Sequence, residues 1–169
     1  MNFELNENQK MIAQMVRDFA EKEIRPNFME WDETQEFPVH VFKKLGELGL
    51  MGVFIPEEYG GSGLDQISYG LIMQELERGD SAVRSAASVQ SSLVMFPINE
   101  FGSEEQKKKY LPKLASGKMI GSFGLTEPNH GSDPSSMETY FKDMGDHYLL
   151  NGAKMWITNS PLCDIAVIW

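Results

Sequence analysis

Cysteine is nearly absent from this 169-residue sequence, with Cys163 standing alone. One thiol excludes an internal disulfide and any multi-cysteine zinc or iron-sulfur cage. Long apolar runs are also missing. No stretch approaches the roughly 18 residues a membrane helix needs, and Met1-Asn2-Phe3-Glu4 lacks the basic and apolar regions of a secretory leader. The location expected from this is cytoplasmic. Positive charge is scarce: Lys plus Arg number 15 against 25 for Asp plus Glu, a net charge of -10. An acidic chain repels phosphate at long range, so a nucleic-acid binder would need a dense basic patch. The one basic run, Lys107-Lys108-Lys109, follows Glu104 and Glu105 at helical spacing and reads as a self-paired, solvated face. Histidine numbers three, at 40, 130 and 147, with no H-x-x-x-H or H-E-x-x-H arrangement, so no metal site is expected. There is no G-x-G-x-x-G, P-loop or G-x-S-x-G. Gly60-Gly61-Ser62-Gly63 follows no convincing dinucleotide-binding strand.

What is present describes a globular chain, 41% hydrophobic and 24% charged. From Asn6 to about Gly117 the apolar residues recur at helical spacing. Asn6 and Gln9 form a capping box before the stripe Met11, Ile12, Met15, Val16 and Phe19, which Pro26 disturbs. A second helix is expected from Pro38 to Gly49 and a third after Asp65. A buried helix is expected over 81–100, ending near Pro97, and a last one behind the Ser103/Gln106 capping box. After Lys118 the texture becomes short apolar runs between turn residues: 119–125, 139–142, 147–150, 153–158 and 165–169. Asn151-Gly152 is the strongest hairpin signal, and the last run reads as a buried strand without a partner. The expected class is α+β, with a helical bundle over 1–117 followed by part of an antiparallel β domain over 118–169. Such a chain reads as a fragment of something longer.

Two segments carry chemistry. Phe123-Gly124-Leu125-Thr126-Glu127-Pro128-Asn129-His130-Gly131-Ser132-Asp133-Pro134 leaves a strand and enters a loop of short polar residues. Such a loop exposes N–H groups and hydroxyls, the donors that a pyrophosphate or a flavin edge requires, though an ordinary connection has the same composition. Trp156-Ile157-Thr158-Asn159-Ser160 sets an indole beside a hydroxyl, which suits an aromatic cofactor or a sheet core equally. Arg84 is open to two readings as well. Flanked by small residues, its guanidinium has room to grip a carboxylate with two parallel hydrogen bonds. Asp80, four residues earlier, offers instead an ordinary helix salt bridge.

F-G-L-T-E-P-N-H-G-S-D at 123–133, followed by N-G-x-K-x-W-I-T-N at 151–159, resembles the flavin-binding signature of the acyl-CoA dehydrogenases. The resemblance also takes in Tyr59-Gly60-Gly61-Ser62-Gly63. Glu75-Leu76-Glu77-Arg78, the run from Arg84 to Val94, and the run from Ser132 to Thr139 are similar to the glutaryl-CoA dehydrogenases within that family. His130 stands where a small residue is the family's habit.

This resemblance implies three parts: an N-terminal helical domain, a middle β domain and a C-terminal helical bundle, in a homotetramer. FAD is the implied cofactor, met by Phe123, Gly124, Leu125, Thr126, Gly131, Ser132, Trp156, Ile157 and Thr158. Arg84, Ser85, Glu77 and Ser132 are the implied acyl-CoA-binding residues, with Arg84 on the distal carboxylate of glutaryl-CoA. The implied reaction is α,β-dehydrogenation, with decarboxylation to crotonyl-CoA. Its electrons pass to an electron-transfer flavoprotein, in the mitochondrial matrix if the source is a eukaryote. The glutamate base is expected beyond residue 169, so this stretch alone is expected to be inactive. Other short-chain acyl-CoA dehydrogenases, a flavin monooxygenase and a non-enzymatic interaction module are the alternatives.

Overall fold

A computed structural model describes residues 4–169. Helix α1 (Glu7–Phe19) begins with the expected reciprocal cap: Asn6 accepts from the Gln9 amide, and the Gln9 side chain accepts from the Asn6 N–H. It runs on through a π-helical turn, Ala20–Ile24, and is over by Pro26. Helix α2 (Phe28–Thr34) has no counterpart in the periodicity, because it buries none of its residues. Gln35 in the left-handed region ends it. Helix α3 (Val39–Glu47) turns Val41, Phe42 and Leu45 inward. Asp65 caps α4 (Gln66–Gly79) and Asp80 caps α5 (Ser81–Ser88), each carboxylate accepting a backbone N–H three residues on.

The helix expected over 81–100 is three pieces in line: α5, a π-helical stretch Val89–Met95, and α6 (Phe96–Phe101). Pro97 does not end it. It lies in the first turn of α6, where a missing N–H does least harm. Helix α7 (Glu104–Ala115) follows its expected Ser103/Gln106 box. The core of these helices is dry: Val16, Ile24, Leu45, Met51, Ile72 and Leu76 are all fully buried. No helix among the described residues is long and apolar enough to cross a membrane.

The β region departs from expectation in three ways. Strand β1 (Gly121–Gly124) pairs in parallel with β4 (Ile165–Ile168), so only β2 (Tyr140–Asp143) and β3 (Tyr148–Asn151) form the antiparallel ladder. The terminal run therefore has a partner. The hairpin turns at Met144–His147, where Gly145 supplies a φ of +97° and the Met144 N–H reaches the His147 carbonyl at 2.9 Å; Asn151 stays in β3. Residues 153–158 are not a strand, because Trp156 at φ +61° and, just beyond, Asn159 at φ +68° bend the chain out of any extended ladder.

Gln90, fully buried in the π-helical stretch, joins the two regions. Its amide donates to the Leu114 and Met119 carbonyls at 2.9 and 2.8 Å and accepts from the Gly121 N–H at 2.7 Å. Three backbone groups where helix α7 hands over to β1 are thereby satisfied by one side chain.

Candidate functional site

The two motif segments lie side by side. The Met155 N–H donates to the Thr126 carbonyl at 2.8 Å, which sets Trp156 next to the end of β1. Phe123 and Gly124 belong to β1 itself: Phe123 is tilted against Trp169 with centroids 6.0 Å apart, and Gly124 is buried. Leu125 and Thr126 leave the strand half-buried, while Gly131 and Ser132 are exposed in the loop that follows. Trp156 is 83% exposed, so its indole does not fill a sheet core in this chain. The hydroxyls of Thr126, Ser132 and Thr158 take no partner among the described residues. Three uncommitted hydroxyls and a bare indole are a donor set that fits the polar edge and flat face of a flavin.

What holds these loops is a buried ion pair, Glu127 with Lys154, that sequence reasoning does not single out. The Glu127 carboxylate accepts from the Glu138 and Thr139 amides at 2.6 and 2.8 Å and from Lys154 Nζ at 2.8 Å. Its side chain is 4% exposed and that of Lys154 is 9% exposed. The Lys154 ammonium first, then donors on Thr139 and Glu138, holds the Glu127 carboxyl far below the usual carboxylate range. The available signal was an acid in one motif and the sole lysine of the other, Glu127 and Lys154.

Asn159 forms a second link. Its left-handed backbone turns the side-chain amide inward, where it donates to the Gly121 carbonyl at 3.0 Å and, more loosely, to that of Ala86 at 3.4 Å. This closes a groove of about 470 Å³ between α5 and the loop, lined in part by Gln35, Phe37, Ser85, Ala86 and Thr158. Ser85, on α5, and Thr158, on the loop, thus line the same groove. Arg84 and Glu77 do not line it. Asp80 is occupied with its cap, so the helix salt bridge suggested by spacing does not form. Arg84 Nε donates instead to Glu77, which also accepts from the Ser81 hydroxyl. Arg84 first, then Ser81, lowers the Glu77 carboxyl below its ordinary value. The two terminal amino groups of Arg84 remain uncommitted among the described residues.

Residues 6–118 match the model of the acyl-CoA dehydrogenase N-terminal domain, and residues 122–169 match that of the middle domain. Among curated relatives, probable acyl-CoA dehydrogenase YngJ of Bacillus subtilis is 51% identical over 99% of this chain and 44% of its own length. The short-chain specific acyl-CoA dehydrogenase of Clostridium acetobutylicum is 45% identical over all of this chain and 45% of its own. Among solved structures, glutaryl-CoA dehydrogenase from Mycobacterium smegmatis superimposes with a TM-score of 0.94 at 47% identity, over 98% of this chain and 43% of that one. A glutaryl-CoA dehydrogenase from Mycobacterium smegmatis in complex with FADH2 gives 0.95. The chain thus spans under half the length of the relatives it matches.

Proposed function

The chain belongs to the acyl-CoA dehydrogenase family, and from that premise we propose that it supplies one wall of the FAD and acyl-CoA site of an α,β-dehydrogenase. The observation that carries this reading is the 2.8 Å bond between Met155 and Thr126, which joins the end of the segment Phe123, Gly124, Leu125 and Thr126 to the start of the segment Trp156, Ile157 and Thr158. Bound FAD would supply the acceptor for the hydride that leaves the β-carbon. This chain's residues would hold and orient: the Thr126 and Thr158 hydroxyls at the ring's polar edge, and Gly131 and Ser132 at the phosphates. Trp156 would cover the ring's flat face. Donors fixed in place stabilise negative charge as it arrives there. The glutamate base that takes the α proton would lie outside residues 1–169, as would the C-terminal bundle of a homotetramer. Electrons would go on to an electron-transfer flavoprotein. The helical domain is proposed as 1–117 and the β domain as 118–169.

For the substrate we propose glutaryl-CoA, with Arg84 taking the distal carboxylate beside Ser85. Glu77 engages only Nε of Arg84, so the terminal amino groups stay free for a second, bidentate carboxylate. A short-chain monocarboxylic thioester is the second reading. It is favoured by the Arg84–Glu77 pair lying off the groove that Ser85 lines, and by the likeness to the Clostridium acetobutylicum enzyme. Anaerobic mixing of the full-length protein with glutaryl-CoA and with butyryl-CoA tests both. The expected result is flavin bleaching, with Arg84→Ala costing at least about a hundredfold in kcat/KM on glutaryl-CoA and under about tenfold on butyryl-CoA. Equal losses end the carboxylate reading; no bleaching with any acyl-CoA ends the dehydrogenase reading.

A further inference from the structure

Lys154 and Met155 together take hold of three consecutive residues on the facing segment. Lys154 Nζ reaches the Leu125 carbonyl at 3.0 Å and the Glu127 carboxylate at 2.8 Å, and the Met155 N–H takes the Thr126 carbonyl between them. Glu127 extends the hold to a third segment through the Glu138 and Thr139 amides. Gly152 lets the chain arrive there: its φ is +146°, and a Cβ would stand 2.7 Å from the Thr139 Cα. The Thr126 hydroxyl is left uncommitted among the described residues, and the residue after Met155 is Trp156.

We propose that Glu127 and Lys154 are positioning residues, a buried polar clamp that fixes the spacing between the Thr126 hydroxyl and the Trp156–Thr158 loop and so sets how flavin is held. The proposal rests on the reading of those loops as flavin-facing. An apolar core cannot do this work, because the loops and the hairpin beside them bury little apolar surface: Trp156, Tyr140 and Tyr148 are each at least 60% exposed. A buried pair is well suited to it, since each charge is bound to one geometry by the cost of leaving the other unpaired.

The test compares Lys154→Met, Glu127→Gln and Lys154→Arg in the full-length protein, by amide hydrogen exchange, FAD affinity and the visible flavin spectrum. In Lys154→Met, exchange at Met155, Glu138 and Thr139 is expected to quicken at least about tenfold while the α3 amides stay protected. FAD affinity is expected to fall at least about tenfold with an altered flavin spectrum, and Lys154→Arg is expected to restore part of both. Quickened exchange with unchanged affinity and spectrum would overturn the proposal, as would unchanged exchange. Should Lys154→Met unfold the helices as well, Glu127→Gln decides: normal FAD affinity in it counts against the clamp, a tenfold loss for it. An unaltered protein that binds no FAD defeats the family reading of the site instead. The exchange data then still report whether the clamp spaces the loops.

Discussion

The helical and β regions of this chain are held together by different forces. Between α1 and α7 the chain closes a core of side chains excluded from water, including Phe42, Leu45, Met51 and Leu76 at no more than 1% exposure. Beyond β1 the large side chains lie mostly outside: Phe141 and Tyr148 are each 68% exposed, and the conspicuously buried side chains belong to Glu127 and Lys154. Hydrophobic burial is non-directional and favours compactness, whereas hydrogen bonds and paired charges specify distance and angle. The helical region is built to be stable. The β region is built to hold loops at a set spacing, and its apolar surface stays uncovered in this chain.

The contrast breaks most readily at the helical core. Leu45→Ala removes a fully buried side chain in α3 and is expected to cost about 2–5 kcal/mol, through lost transfer energy and the cavity left behind. Urea unfolding followed by far-UV circular dichroism measures it. A loss under about 1 kcal/mol would mean that the helices are not the stabilising unit. The joint between the regions comes next. Gln90→Met nearly keeps the volume and strands the Met119 carbonyl and the Gly121 N–H, while the Leu114 carbonyl keeps the Gly117 N–H, for an expected loss of about 1–3 kcal/mol. Exchange at Gly121 should quicken with it. If only Gly121 exchange changes and the global midpoint does not, the two regions are less coupled than the geometry implies.

Acid is expected to separate the regions by order of opening. Glu127 has a carboxyl held below its unfolded value, so its contribution is present above the ordinary carboxylate range and is lost as pH falls through the folded value. Glu75, paired with Arg17, and Asp65, on the Ser68 amide, shift in the same direction within the helices. Both regions therefore weaken on acidification, but only the helices keep a dry core once the charges are gone. Exchange at Glu138, Thr139 and Met155 should rise at a higher pH than exchange in α3 and α4. Simultaneous opening would show that the clamp is not what holds the β region.

What could be read in advance followed the range of the interaction. The caps at Asn6, Asp65 and Ser103 each bond three residues on, so spacing alone located them. Helix α2 has no buried face to give it a period, and Pro97 was misplaced because proline at a helix start looks the same in sequence as proline at a stop. Parallel pairing of β1 with β4 depends on a crossover that no local pattern encodes. At the candidate site the family resemblance pointed to both loops. Glu127 and Lys154 stand inside the two matched motifs and Gln90 inside a matched run, but their pairings act across distance, and no spacing within one segment shows which groups meet.

The smallest effect is expected where the β region is most exposed. Phe141 and Tyr148 meet diagonally across the hairpin, edge to face with centroids 5.5 Å apart, and both are largely exposed. An exposed cross-strand aromatic pair contributes about 0.2–1 kcal/mol to its own hairpin, and a surface substitution about 0.5 kcal/mol or less to the whole. Phe141→Ser should therefore leave the helical unfolding midpoint within that margin, while quickening exchange at the paired residue Leu150. A shift of more than about 1 kcal/mol in the global midpoint would place Phe141 in a packed core, and the division between an apolar helical region and a polar, clamped β region would no longer stand.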